Sequence, residues 1–161
     1  QSQAEIRGRP GVLHRGGGAR PLARFTLPAI SALMAPGRRA DMAQILLAED
    51  DESLRKFLAA ALVKAGHDVA DFGDGAEAWE AMQGVAFDLL LTDIVMPGMD
   101  GIELAKRAAD VNGGLKIMFI TGFAAVALHP SSGAPKQAKV LSKPFHLREI
   151  VAEVDRMLAA A

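Results

Sequence analysis

Five polar side chains that could perform chemistry follow or end short apolar runs in this sequence. Glu49 and Asp50 follow one run, and Asp93 follows another about forty residues further on. Thr121 and Lys143 mark the ends of two later runs and add a hydroxyl and an ammonium group. Carboxylates that are brought together repel one another unless a hard divalent cation such as Mg²⁺ neutralises them. A carboxylate cluster, a hydroxyl and a lysine are the groups that phosphoryl transfer to an aspartate requires.

Short apolar runs alternate with helical patterns over residues 42–161, and this alternation is typical of βα units on a parallel sheet. The predicted strands are residues 45–48, 67–72, 87–92, 116–121 and 139–142. The spacing of apolar residues predicts helices near 54–66, 75–82, 100–111 and 147–158, and a short or mobile segment from Phe123 onward. The predicted fold class is α/β, a doubly wound five-stranded parallel sheet in the flavodoxin-like order 2-1-3-4-5.

The predicted topology brings the polar side chains to one place. In an open parallel sheet, sites form beyond the carboxyl ends of the strands, where the strand order reverses between the first and third strands. We therefore expect Asp50 and Asp93 to face each other across that crevice and to hold Mg²⁺. The Asp93 carboxylate would then attack phosphorus, while Lys143 and Thr121 bind the other phosphoryl oxygens. Lys143–Pro144 is a candidate for a cis peptide bond that directs the ammonium group into the crevice.

Composition limits the classes of protein to which the chain can belong. At 161 residues it is long enough for one domain with a proper core, and no stretch approaches the roughly 20 apolar residues that span a membrane. The absence of cysteine excludes disulfides and thiolate metal sites, and it fits a cytoplasmic protein. Residues 42–161 carry eleven basic and seventeen acidic side chains, a balance that disfavours nucleic-acid binding. We therefore expect no nucleic acid and no membrane among the partners.

Residues 1–41 differ in character from the rest of the chain. They hold seven arginines, no lysine and only two acidic residues, and their apolar residues follow no sustained period. We expect them to be a disordered Arg-rich extension outside the fold. Because Met42 stands shortly before the first predicted strand, an upstream extension or a misplaced start is the preferred explanation; a flexible basic tail and an Arg-rich transit peptide are the alternatives. The predicted domain is therefore residues 42–161.

Four sequence blocks resemble the receiver domains of two-component response regulators. The blocks are ILLAEDD, FDLLLTDIVMPGMDG, MFITG and VLSKPF, and the resemblance covers about residues 44–160. It implies that Asp93 is the phosphoacceptor and that Thr121 and Lys143 supply the hydroxyl and the ammonium group. It also implies four magnesium ligands, acting directly or through water: Glu49, Asp50, Asp93 and the Val95 carbonyl.

Within this family, the sequences FITGFAAVAL and KVLSKPFHLRE resemble CpdR-type single-domain regulators in particular. This resemblance implies a histidine kinase or phosphotransfer protein as phosphodonor, and a role as an adaptor for the protease ClpXP in cell-cycle control. It implies a signalling module that is not an enzyme beyond assisting its own phosphorylation. A phosphorelay shuttle and a chemotaxis-like regulator are alternatives of the same class. A phosphatase of the haloacid dehalogenase type is the alternative from another class, and it would need a second aspartate where Val95 stands.

A few side chains carry further expectations. Receivers of this type usually have Tyr or Phe three residues before the lysine, and this sequence has Val140 there, so the segment after Phe123 is the better candidate for the moving part. Val95 and Phe123 are apolar and could shield an acyl phosphate from water, which predicts slow self-dephosphorylation. Phe57 is expected in the core, and His67 is expected to be exposed or weakly bonded.

Overall fold

The computed structural model describes residues 42–160, which form a five-stranded parallel sheet with helices on both faces. The strands are β1 (Gln44–Ala48), β2 (Asp68–Phe72), β3 (Leu89–Thr92), β4 (Lys116–Thr121) and β5 (Lys139–Ser142). The helices are α1 (Glu52–Lys64), α2 (Gly75–Met82), α3 (Gly101–Val111), α4 (Ala124–Leu128) and α5 (Leu147–Ala159). The strand order β2-β1-β3-β4-β5 confirms the predicted order. The expectations for residues 1–41 lie outside the described residues.

The three central strands, β1, β3 and β4, are buried, and they direct apolar side chains toward both faces of the sheet. Every residue of β1 and β3 is buried, and in β4 Lys116 alone is partly exposed. β3 pairs in parallel with β1 and β4, so that Thr92 lies beside Ala48 on one side and Phe119 on the other. A strand covered on both faces needs apolar side chains pointing both ways, which explains the run of three leucines in β3.

The core has two layers, one on each face of the sheet. Alternate strand residues point to opposite faces, so Leu46 and Leu90 belong to one layer and Leu47 and Leu91 to the other. Helices α2, α3 and α4 cover the first layer, and α1 and α5 cover the second. In this part of the chain none of the helices is long and apolar enough to cross a membrane. This doubly wound arrangement leaves the carboxyl ends of the strands open for a site.

Aspartates begin three of the five helices. Asp51 accepts a hydrogen bond from the Leu54 amide at 2.9 Å, and Asp100 accepts one from the Glu103 amide at 2.8 Å. Asp74 caps α2 by accepting from two amides, at 2.7 and 3.0 Å. Each cap satisfies amides that a helix leaves unpaired and contributes about 1 kcal/mol. The caps fix the turns that connect the strand ends to the helices.

The segment after Phe123 contains only the five-residue helix α4. Its sequence predicted a short element, because the prolines and glycine of residues 130–135 cannot continue a helix. The last helical residue is Leu128, two positions before Pro130. The remaining connection to β5 has no regular structure.

Two expectations about single side chains are wrong. Phe57 is not in the core: it is 65% exposed, because α1 buries Leu58 against the sheet and Phe57 lies outside that face. His67 is buried rather than exposed. Its Nδ1 accepts a hydrogen bond from the Ala43 amide at 3.4 Å, and its Nε2 lies 2.9 Å from Asp155 Oδ1 in α5. His67 therefore connects the start of β1 to the last helix.

Candidate functional site

The carboxyl ends of four strands meet at one edge of the sheet and carry the predicted site residues. Glu49 and Asp50 follow β1, and Asp93 follows β3 directly. Thr121 is the last residue of β4, and Lys143 follows β5. The Asp93 amide still bonds to a β1 carbonyl at 2.9 Å, and the Lys143 amide bonds to a β4 carbonyl at 2.8 Å. The sheet thus fixes the backbone from which these side chains project.

Three carboxylates form a cluster at this edge. One oxygen from each of Glu49, Asp50 and Asp93 lies within 4.8 Å of the other two. Glu49 is fully buried, Asp93 is 6% exposed, and Asp50 is exposed. Carboxylates this close together require positive charge, and Mg²⁺ prefers oxygen ligands of this kind. The donor set therefore fits a hard divalent cation, and these three carboxylates could hold it.

Lys143 places a positive charge beside two of these carboxylates. Its Nζ lies 2.8 Å from Asp93 Oδ2 and 3.1 Å from Glu49 Oε2. Burial alone would lower the pKa of the ammonium group, but the hydrogen bonds to Asp93 and Glu49 outweigh it, so the pKa of Lys143 is raised. The Lys143–Pro144 peptide bond is cis, as the sequence suggested. Lys143 is therefore a cation held within hydrogen-bond distance of Asp93.

Glu49 is the most deeply buried member of the cluster. Burial, with a smaller contribution from the Asp93 charge, raises the pKa of the Glu49 carboxyl from 4.5 to about 6. Hydrogen bonds from the Asp51 amide, at 3.1 Å, and from Lys143 act in the opposite direction and are outweighed. A buried carboxylate with a raised pKa gains stability when a further cation binds beside it.

Arg55 hydrogen-bonds to the backbone of this cluster, and it was not among the site residues predicted from the sequence. From α1 its guanidinium donates to the Glu49 carbonyl at 2.8 Å and to Asp71 of β2 at 3.1 Å. Gly73 leaves room for it, because a Cβ at that position would lie 2.8 Å from Arg55 Nη1. Arg55 therefore ties α1 and β2 to the backbone of the acidic cluster. No signal in the sequence distinguishes this arginine from a solvated helix residue.

Both oxygens of the Asp93 carboxylate have partners. Oδ1 accepts from the Ile94 amide at 2.7 Å, and Oδ2 accepts from Lys143 at 2.8 Å. On the neighbouring strand Thr121 is buried, and its Oγ1 accepts a hydrogen bond from the Phe123 amide at 2.9 Å. This bond uses the Thr121 hydroxyl as an acceptor and leaves its own proton available for donation.

Apolar side chains border the site. Val95 and Phe123 stand two residues beyond Asp93 and Thr121, and they are 55% and 58% exposed. Val140 is partly buried in β5, where it packs against the core layer that α2, α3 and α4 cover. Val95 and Phe123 are therefore exposed apolar residues that closely follow two of the strand ends that carry the site.

The chain belongs to the response regulator receiver family. The family described as "Response regulator receiver domain" matches residues 45–155, from β1 into α5. This match confirms the resemblance that the four sequence blocks suggested. Receiver domains are the phosphoacceptor modules of two-component signalling, and this general role extends to the chain.

Several individual receiver proteins resemble the chain over almost their whole length. The response regulator receiver protein CpdR of Brucella abortus (strain 2308) is 64% identical over 120 residues, which cover 74% of this chain and 100% of CpdR. A response regulator receiver protein from Sinorhizobium medicae WSM419 matches with a TM-score of 0.67 and 32% identity, covering 74% of this chain and 96% of that one. The response regulator TrrA from Thermotoga maritima, solved in complex with Mg(2+)-BeF, matches with a TM-score of 0.62 and 28% identity, covering 72% and 99%. The chain is a receiver-domain response regulator similar to CpdR.

Proposed function

We propose that this response regulator accepts a phosphoryl group on Asp93 and thereby switches its binding to a protein partner. The observation that carries the proposal is the place of the Asp93 carboxylate, which lies 2.8 Å from Lys143 Nζ and within 4.8 Å of the Glu49 and Asp50 carboxylates. A nucleophilic carboxylate, a cation and a divalent-metal donor set are the parts that aspartyl phosphorylation requires. We propose that residues 42–161 form the receiver domain that carries this site.

Each residue has a defined task in this proposal. A carboxylate oxygen of Asp93 forms a bond to phosphorus while the bond between phosphorus and the donor's leaving group breaks. Lys143 and the Thr121 hydroxyl bind the oxygens of the transferred group. A magnesium ion would be held by Glu49, Asp50, Asp93 and the Val95 carbonyl, and it would supply positive charge against the phosphoryl oxygens.

The phosphorylated site differs from the free site in charge and in contacts. Phosphorylation adds about −1.5 to −2 charge. Lys143 now shares its ammonium group between Asp93 and Glu49. We propose that it turns from Asp93 toward the phosphoryl oxygens, that Thr121 donates its free proton to them, and that the segment after Phe123 moves with Thr121 because the two are hydrogen-bonded.

We further propose that the phosphodonor is a histidine kinase or phosphotransfer protein and that the output is adaptor activity for ClpXP in the cytoplasm. Membership of the receiver family supports the first part. The 64% identity to CpdR over its whole length supports the second, since CpdR-type proteins are expected to act as adaptors when unphosphorylated. A phosphorelay shuttle remains the alternative with the same chemistry. The phosphatase alternative is disfavoured by Val95, which cannot act as the second acid.

A small-molecule phosphodonor tests the phosphoacceptor. Incubation with acetyl phosphate and Mg²⁺ should add one phosphoryl group per chain, seen by intact-mass spectrometry, and none to Asp93→Asn. The matched control is Asp51→Ser, which removes a neighbouring acidic side chain and keeps a residue that can cap α1. Continuous turnover of the donor would favour the phosphatase, and phosphorylation of Asp93→Asn would refute the assignment.

Binding to ClpX tests the output. Immobilised wild type and Asp93→Ala should both recover ClpX from cell extract, and phosphorylation should reduce recovery by the wild type alone. Equal recovery before and after phosphorylation would contradict a phosphorylation-controlled adaptor. Loss of phosphoryl groups to a phosphotransfer protein, without ClpX recovery, would instead support the shuttle.

A further inference from the structure

Thr92, the last residue of β3, makes a side-chain contact that the proposed mechanism does not use. The residue is completely buried, and its hydroxyl donates a hydrogen bond to the backbone carbonyl of Asp93 at 2.8 Å. Its neighbour two positions earlier, Leu90, faces the same core layer and carries only an apolar side chain. The hydroxyl of Thr92 is therefore directed at the backbone of the residue that would react.

The Asp93–Ile94 peptide links this contact to the carboxylate. The carbonyl of Asp93 and the amide of Ile94 belong to one rigid trans plane and point in opposite directions. The Thr92 hydroxyl bonds to the carbonyl edge, while the amide edge donates to Asp93 Oδ1 at 2.7 Å. Any rotation of the plane that breaks the first bond also turns the Ile94 amide away from Oδ1.

The start of α3 confines the same peptide from another direction. A Cβ on Gly101 would lie only 1.8 Å from the Asp93 carbonyl oxygen, so the helix can approach this closely only with glycine there. The Gly101 amide donates to the Ile94 carbonyl at 2.8 Å. The peptide plane is thus held by a hydroxyl and by close backbone packing, both within the buried part of the fold.

We propose that Thr92 is a positioning residue for phosphoryl transfer, because it sets the peptide plane that orients the reacting carboxylate. With Oδ1 held by the Ile94 amide, Oδ2 is the oxygen directed to Lys143. Without the Thr92 hydroxyl, the Asp93–Ile94 peptide loses one of the contacts that hold its plane, and the two oxygens of Asp93 are less firmly oriented. This inference rests on the proposed function of Asp93. It adds Thr92 to the carboxylates, Lys143 and Thr121 that the proposed function uses.

Two substitutions in the full-length chain separate the hydroxyl from the shape of the side chain. Thr92→Val removes the donor and nearly keeps the shape, whereas Thr92→Ser keeps the donor and removes a methyl group. Phosphorylation by acetyl phosphate with Mg²⁺ should be about tenfold slower in Thr92→Val, as expected when one hydrogen bond that orients a reacting group is lost. Thr92→Ser should stay within about twofold of the wild type.

A spectroscopic signal reports the geometry without any phosphorylation. The proton of the Ile94 amide is expected far downfield because it bonds to a carboxylate oxygen at short distance. It should move upfield in Thr92→Val and return toward the wild-type position in Thr92→Ser. Leu90→Val is the matched control, because it loosens the same strand and the same core layer while leaving the Thr92–Asp93 contact in place.

The phosphorylation rates and the Ile94 amide signals of these variants together decide whether Thr92 positions Asp93. Slow phosphorylation and a shifted Ile94 amide in Thr92→Val, with both restored by serine and unaffected in Leu90→Val, support the positioning role. An unmoved Ile94 amide, a wild-type phosphorylation rate in Thr92→Val, or the same slowing in Leu90→Val overturns it. If the wild type itself is not phosphorylated on Asp93, the proposed function fails, while the Ile94 signal still tests whether Thr92 orients the carboxylate.

Discussion

At the scale of the residue, the charged form of Glu49 carries an electrostatic cost that comes from its burial. Its carboxyl is buried, and its pKa is raised to about 6 even though it accepts hydrogen bonds from Lys143 and the Asp51 amide. A proton on Glu49 would relieve this cost, and so would a bound divalent cation. The charge on Glu49 is therefore unfavourable in the metal-free protein, and a divalent cation beside it would offset that cost.

Replacing Glu49 with Gln should stabilise the metal-free protein at neutral pH. Because the pKa of 4.5 rises to about 6 on folding, the folded state binds the proton more tightly than the unfolded chain. Stability therefore falls as the pH rises through this interval, and above it the buried charge costs roughly 2 kcal/mol. In urea unfolding with EDTA, Glu49→Gln should exceed the wild type by roughly 1–2 kcal/mol at neutral pH and match it below about pH 4.5.

The same substitution should weaken Mg²⁺ binding, since a ligand carboxylate is lost. Asp51→Ser serves as the control, because it also removes one acidic side chain but keeps a capping residue, and it should show neither effect. A metal-free Glu49→Gln protein that is less stable than the wild type at neutral pH would contradict the assigned cost of the buried charge.

The apolar residues beside Asp93 lead to a kinetic prediction. Val95 and Phe123 offer no group that could orient a water molecule, so the acyl phosphate of the wild type should decay slowly, over much longer than seconds. Val95→Asn should accelerate this decay about tenfold, which is less than a fully placed general base achieves. Loss of the phosphoryl group is followed by intact-mass spectrometry after the donor is removed.

Val111 provides the control for this measurement, because it is also an exposed valine and lies at the end of α3. Val111→Asn should leave the decay unchanged. Decay within seconds in the wild type, or equal acceleration by both asparagine variants, would show that shielding at Val95 is not what sets the lifetime.

Some residues of the candidate site stand out in the sequence, and others do not. Asp93, Thr121 and Lys143 stand directly at strand ends, where topology alone brings polar groups together. Arg55 and Thr92 act on backbone carbonyls, and nothing in their residue type or spacing indicates which carbonyl lies within reach. Contacts of this kind depend on the packing of α1 and β3, so only the structure reveals them.

At the scale of the element, the packing of α3 against the Asp93 backbone is the most sensitive contact. A Cβ at Gly101 would meet the Asp93 carbonyl oxygen at 1.8 Å and its carbon at 2.8 Å. Gly101→Ala must therefore displace the helix or the strand end, at a cost of roughly 1–3 kcal/mol. We expect lower stability in urea unfolding and, because Asp93 shifts, slower phosphorylation by acetyl phosphate.

Gly84→Ala is the matched control for this prediction. A Cβ at Gly84 would meet nothing within 4 Å, so the free energy of unfolding of Gly84→Ala should stay within about 0.5 kcal/mol of the wild-type value. If Gly101→Ala were as stable and as readily phosphorylated as Gly84→Ala, the close approach of α3 to Asp93 would have no energetic consequence.

The elements themselves were largely predictable, and the two errors concern the surroundings of single side chains. The apolar runs of the central strands and the Asp caps determine where strands and helices begin. Phe57 was placed in the core because its spacing fits a helical period, but a helix on a sheet buries one face, and the sequence does not say where that face ends. The partner of His67 in α5, Asp155, lies 88 positions away, beyond any local pattern.

At the scale of the whole molecule, charge is distributed unevenly along the chain. Residues 1–41 hold seven arginines and two acidic residues, whereas residues 42–161 hold eleven basic and seventeen acidic ones. Phosphorylation would add further negative charge to the acidic part. Opposite charges on two parts of one chain attract, so any contact between these two parts would weaken as salt is added.

If residues 42–161 form the whole receiver domain, a chain that begins at Met42 should keep the properties of the full-length protein. We expect its free energy of unfolding to agree within about 0.5 kcal/mol and its phosphorylation rate to agree within about twofold. Both chains are compared by urea unfolding at low and at high salt. Electrostatic contact between residues 1–41 and the acidic part would make the full-length protein more stable at low salt, and the difference would shrink as salt screens the charges. Such a salt-dependent difference, or a slower phosphorylation of the shorter chain, would mean that the domain extends into the arginine-rich segment.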